Sequence, residues 1–152
     1  GADINLVAGA EVQTTASART GGDYLARASH YAVQRELDDF TFPAMFAGRM
    51  KAYFEAHGIT EADMGYFAKK AYDNANKNPL AHMQAVQITL EHAQAPNPKN
   101  VQFLSNPDLK DYLKVSDCSQ VSDGGAAMIV VSEEGLAKLG KTEADAIELI
   151  GL

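Results

Sequence analysis

The chain has 152 residues, is 46% hydrophobic and carries a formal net charge of −7. That length suits one globular domain able to bury a core without staples, and the interspersed acidic and basic residues give a surface that repels phosphate backbones, so nucleic acid is not expected as a partner. No apolar run approaches the roughly 20 residues that cross a bilayer and no basic-then-apolar leader opens the chain, so a soluble, intracellular protein without a membrane partner is expected.

Ile4, Leu6 and Ala8 alternate with Asp3, Asn5 and Val7, which predicts a strand from almost the first residue. Glu11 to Asp23 is small and polar with a Gly21-Gly22 pair and reads as a loop, followed by a short helix over Tyr24 to Leu37. In "TFPAMFAGRMKAYFEAHG", Pro43 stands in a first turn and Gly58 just past the end, and Phe46, Met50, Tyr53, Phe54 and His57 recur at helical spacing. A second helix follows, opened by Thr60 and Asp63 as a capping box. Met64, Phe67, Ala68, Ala71 and Ala75 form its stripe, and Asn78-Pro79 stops it. The short link between the two suggests a helical hairpin.

"VQITLE" alternates as a strand, with a helix as the other reading; "APNPKN" is a loop; "NPDLKDYLK" opens a short helix with Asn106 as cap. "AAMIVVS" is an uninterrupted apolar run, the pattern of a strand buried on both faces of a central sheet. Ser132 caps "EEGLAKLG", ended by Gly140; Thr142 caps a brief turn; "AIELIGL" reads as a last strand. Strands this close to both ends suggest a piece of a larger fold.

No spacing here defines a catalytic constellation. Cys118 has Asp117 beside it, which raises a thiol pKa, and no base within a few residues, so a buried structural cysteine is expected. His30, His57, His82 and His92 lack metal-ligand spacing. "SDGG" lacks the surroundings of a phosphate loop and reads as a tight turn entering a strand. Asp38-Asp39 and Glu133-Glu134 read as solvated or helix-terminal charges, and Met45, Phe46 and Met50 as core.

The order of segments adds more. "GADINLVAGAE", then "FPAMFAGRMKAYFEAHGITEADMGYFAKKAYDNANKNPLAH", then "DCSQVSDGGAAMIVVSE" resemble, in that order and over nearly the whole chain, the middle of a thiolase (acetyl-CoA C-acyltransferase), in particular the sterol-carrier-protein-2 type. The resemblance implies an α/β chain with part of the thiolase fold: residues 1–12 as a strand of the N-terminal domain, 13–115 as the helical loop domain, and 116–152 as the return to the N-terminal domain and the start of the linker to the C-terminal one.

In thiolases the cysteine of the segment matched by Asp117 to Val131 is not the nucleophile; the acylated cysteine lies before the strand matched by Gly1 to Glu11, and the histidine base follows in the C-terminal domain. The resemblance therefore assigns no catalytic residue within this chain, which is expected to be inactive alone. It assigns Met45 and Phe46 to the border of the acyl pocket, coenzyme A thioesters as substrates rather than a resident cofactor, acyl-CoA or CoA as partner, and self-association through open sheet edges. The implied setting is cytoplasmic, or peroxisomal in a eukaryote.

The sequence departs from thiolase segments at Ala71 and Tyr72, where Asn-His commonly falls, at "DGGAA" for "DGAAA", and at Gln120 for a proline. Two other readings stay open: a noncatalytic thiolase-like acyl-CoA-binding protein, and a self-standing α/β interaction module.

Overall fold

A computed structural model describes residues 1–151. The chain is mixed α/β and divides into two units, residues 1–12 with 123–152 and residues 13–122.

The first unit is built on two strands, β1 (Ile4–Val12) and β2 (Asp123–Val131), paired antiparallel from Ile4 opposite Val131 to Val12 opposite Asp123. β2 forms where the apolar run predicts a strand, but it is not buried. All of β1 and eight residues of β2 are exposed, because within this unit no further strand and no covering layer meets the ribbon among the described residues. The "SDGG" glycines are no turn either: Gly124 and Gly125 lie within β2, opposite Glu11 and Ala10. Ser132 caps α6 (Glu133–Lys138) by accepting from the Gly135 amide at 3.1 Å, and Lys138 pairs with Asp3. Thr142 and Asp145 close a capping box around a single 3-10 turn. The strand expected over "AIELIGL" does not form across residues 146–151, whose apolar side chains have no partner strand, with Ile147 fully exposed; Leu152 lies outside the described residues.

The second unit is helical. Where a loop was expected, a 3-10 turn Gln13–Thr15 leads into α1 (Ala18–Ala26), which contains both glycines. Ser17 accepts from the Thr20 amide at 3.1 Å, and this cap, with packing against α3, outweighs the weak propensity of Gly21 and Gly22. α2 (Tyr31–Gln34) is a single turn, so the helix expected over Tyr24 to Leu37 is broken in two.

α3 (Thr41–His57) and α4 (Glu61–Lys77) occupy the two predicted spans. Gly58 ends α3 with φ of 64°, a left-handed conformation that a side chain disfavours. Thr60 and Asp63 form the expected capping box, and Asn78 ends α4. The short link does not make the two helices principal partners of each other: α3 packs on α1 and on the 3-10 turn Lys110–Tyr112, whereas α4 packs on α5 (Leu90–Gln94) and on the 3-10 turn Val115–Asp117. Gly65 permits the α4 and α5 contact, since a Cβ there would stand 2.7 Å from Gln94 Cγ and 2.9 Å from the Ala93 carbonyl carbon.

The inward face of α3 is also rotated from the expected stripe. Ala44 and Ala47 are fully buried against Leu104, Leu109 and Leu113, while Phe46 and Tyr53 are exposed. Small residues on that face let the loop carrying the leucines come close, and Phe46 and Tyr53 turn outward.

"VQITLE" forms neither a strand nor a full helix. Asn76 Nδ2 donates to the carbonyls of Gln84 at 2.7 Å and Val86 at 2.8 Å, taking acceptors that a sheet would use, and Thr89 caps α5 by accepting from the His92 amide at 3.0 Å. "NPDLKDYLK" is a turn and one 3-10 turn rather than a helix, with Asn106 Oδ1 accepting from the Asp108 amide at 2.9 Å. "APNPKN" is a loop, closed by a bridge between Asn97 and Asn100.

Candidate functional site

The α4 stripe is covered only in part. Ala68 is buried, but Phe67 is 68% exposed and Met64 half-buried, so the stripe lines an open groove rather than a closed core. The groove has a volume of about 460 Å³ and lies wholly in the helical unit. α4 forms one wall, Met50 of α3 and Met83 add to the lining, and Ser116 to Gln120 complete it. The helical residues and Met83 thus offer thioethers and aromatic faces, and Ser116 to Gln120 offer hydroxyls, a carboxylate, a thiol and an amide. Three of the positions that depart from thiolase segments, Ala71, Tyr72 and Gln120, line it.

Met50 was expected in the core and lies partly in each role, packed against the α3 cluster and lining the groove. Met45 and Phe46 are elsewhere on α3 and line no part of this groove. Phe46 is 42% exposed, its ring edge-on to Phe42 at 5.1 Å and covered by the Arg49 guanidinium at 5.1 Å.

The Ser116 to Gln120 wall rests on buried polar groups that sequence reading missed. Asn100, with no exposed surface, donates through Nδ2 to the His92 carbonyl at 2.8 Å and to Ser116 Oγ at 2.9 Å, and its Oδ1 accepts from the Ser116 amide at 2.8 Å. The Lys114 side chain is completely buried, its Nζ donating to both Asp117 oxygens at 2.9 and 3.0 Å and standing 3.6 Å from Glu61 Oε1 at the start of α4. Gln102 Nε2 reaches both Glu61 oxygens at 3.5 Å. Burial, reinforced by the Asp117 charge and opposed by Lys114, holds the Glu61 carboxyl above its ordinary pKa. The i, i+3 spacing of Lys114 and Asp117 was the available signal, but spacing alone does not distinguish a buried pair from a surface one.

Cys118 faces the groove with its Sγ 3.8 Å from the Lys114 carbonyl. Burial, then the Asp117 carboxylate, push its pKa up to about 11, against a smaller opposite effect of Lys114. At neutral pH it is held as the thiol, the direction that the adjacent Asp117 implied.

A second concavity of about 630 Å³ is polar and acidic, and its key carboxylate is structural. Asp38 is buried, contrary to the solvated reading, because it accepts from the amides of Ser105 at 2.6 Å, Asn106 at 2.7 Å and Phe40 at 2.9 Å. Asp39 does lie exposed, paired with Arg19 at 3.2 Å. Among the described residues no three His, Cys, Asp or Glu side chains come together as a metal site, and no helix is long and apolar enough to cross a membrane.

Sequence comparison gives this groove-bearing α/β chain a thiolase-family, sterol-carrier-protein-2-like relationship. It is 29% identical over 132 residues to an acetyl-CoA acetyltransferase of Methanocaldococcus jannaschii, covering 87% of this chain and 30% of that protein. To a steroid side-chain-cleaving aldolase of Thermomonospora curvata it is 38% identical over 91 residues, 60% of this chain and 20% of the relative. To sterol carrier protein 2 of Gallus gallus it is 31% identical over 111 residues, 71% of this chain and 18% of the relative. The chain therefore spans less than a third of the length of these relatives. No family model matches it.

Proposed function

We propose that this chain is the substrate-covering portion of a thiolase-like acyl-CoA acyltransferase, one that cleaves or condenses acyl-CoA thioesters, with residues 13–115 acting as its loop domain. The observation that carries the reading is the similarity to an acetyl-CoA acetyltransferase across 87% of the chain. The groove agrees with it chemically. A volume of about 460 Å³ is of ligand size, and a thioether and aromatic wall facing hydroxyl and amide groups suits a pantetheine arm, which alternates methylenes with amides. Met45 and Phe46 border the acyl end, as in the thiolases the sequence resembles.

In this reading the chain supplies binding and no chemistry. Cys118 is a protonated thiol held at a pKa of about 11, so it contributes a wall of the groove and no nucleophile. Coenzyme A thioesters are substrates. The exposed apolar residues of the β1–β2 ribbon, among them Leu6, Met128 and Ile129, favour association through its faces and edges.

Isothermal titration of the chain with CoA, acetyl-CoA and octanoyl-CoA, alongside an acyl-transfer assay on the same sample, tests the proposal. Binding without turnover is the expected result. Absence of binding, or turnover lost in Cys118→Ser, would overturn it.

A further inference from the structure

The groove has one wall on α4 and another on Ser116 to Gln120, and a single buried ammonium joins them. Lys114 holds Asp117, which lies in the second wall, through both carboxylate oxygens, and faces Glu61, the first residue of α4 and one turn before the groove residue Met64. Asp117 Oδ2 also accepts from the Lys114 amide at 3.0 Å, so the 3-10 turn that carries Asp117 is closed on itself before it is tied to α4. A lysine with no exposed surface is costly to bury, and one carboxylate would suffice to neutralise it. The second carboxylate comes from a different element, α4, and ties the cluster to the helix that forms one wall of the groove.

We propose that Lys114 is a positioning residue, a charged clamp that draws Ser116 to Gln120 against α4 and so fixes the width of the groove. The inference rests on the groove being the ligand site, but the clamp itself is a property of the unliganded chain. The groups facing Lys114 are the Asp117 and Glu61 carboxylates, and the Gln102 amide faces Glu61 from the 102–114 bridge. Glu61 is the adjustable partner: its contact is the longer at 3.6 Å, and its side chain keeps 19% exposure against 3% for Asp117. Loss of its charge leaves Lys114 ion-paired with Asp117 alone, with the 3-10 turn intact and held to α4 by packing without the charge pair.

Glu61→Gln removes the charge while keeping the side chain's shape and a carbonyl acceptor, and local exchange reads the clamp apart from overall stability. Amide hydrogen exchange on the unliganded variant is expected to speed up about tenfold or more over residues 116–120, with α3 amides unchanged. Labelling of Cys118 by an uncharged maleimide should rise with it, since the thiol faces the opened groove. In titrations, the affinities for octanoyl-CoA and acetyl-CoA should fall together by several-fold, because the groove takes the pantetheine arm that the two share. Exchange over 116–120 equal to wild type, or loss of protection spread evenly over the whole unit, overturns the clamp. Lys114→Met, the stronger variant, must give the same local pattern wherever circular dichroism shows it folded. Failure of wild type to bind either thioester falls on the proposed function, while exchange still decides the clamp.

Discussion

The two units of this chain obey opposite rules. In residues 13–122, alanines and leucines close a core and buried polar side chains are matched donor to acceptor, down to a lysine with no exposed surface. In residues 1–12 with 123–151, Gly135 is the only buried residue among those described, and nine-residue strands pair with each other while showing apolar side chains to solvent. The lesson is that hydrogen-bonded pairing and burial are separate requirements. β1 and β2 satisfy their facing backbone groups with one partner strand, but two strands cannot bury either face. The helical unit has enough elements to cover one another and therefore carries the groove.

Substitutions should expose that contrast. The largest effect is expected from Lys114→Met, which leaves the Asp117 and Glu61 carboxylates facing each other without a cation and should cost about 3–5 kcal/mol in urea unfolding followed by circular dichroism. A loss under about 1 kcal/mol would show the pair to be solvated. Asn100→Ala removes three hydrogen bonds and leaves the buried Ser116 amide unsatisfied, for a loss of about 2–3 kcal/mol in the same measurement.

In the exposed unit the corresponding change is smaller. Ser132→Ala removes the cap of a six-residue helix and should cost about 1 kcal/mol, seen as faster amide exchange confined to α6. The finest test is pH. The folded-state pKa of Glu61 is raised above 4.5, so the folded chain holds that proton more tightly than the unfolded chain does. Its contribution therefore falls as pH rises from about 4.5 through the folded value, and the penalty is complete above it. The stability difference between wild type and Glu61→Gln should accordingly move toward the variant over that window; a difference flat in pH would show that burial does not govern Glu61.

Local signals made much of this legible. Thr60 with Asp63 and Asn78 bounded α4, Pro43 and Gly58 framed α3, and Ser132 with Gly140 framed α6, because a cap acts on amides within one turn of itself. Strand reading fared unevenly for a matching reason. Alternation in "INLVAG" and in "VQITLE" is equally good on paper, yet only the first has a strand to pair with, while the backbone of the second is held by Asn76. The groove was not legible as a site. Met64 and Phe67 looked like core residues, and Met50, Met83 and Cys118 reach the same space from distant positions in the chain. Neither Lys114 nor Asn100 gave any sign of burial, since polar residues between prolines and turns read as surface.

The sequence by itself determined where the long helices begin and end, the direction in which Asp117 moves the Cys118 thiol, and the thiolase-like order of segments. Each of these depends on neighbours a few residues apart or on linear order. The tertiary structure alone decided which strands find partners, which face of α3 turns inward, and that Lys114, Asp117 and Glu61 meet under the groove wall. Burial and pairing across some fifty residues are properties of the packed chain, because the cost of hiding a charge is set by what else arrives beside it.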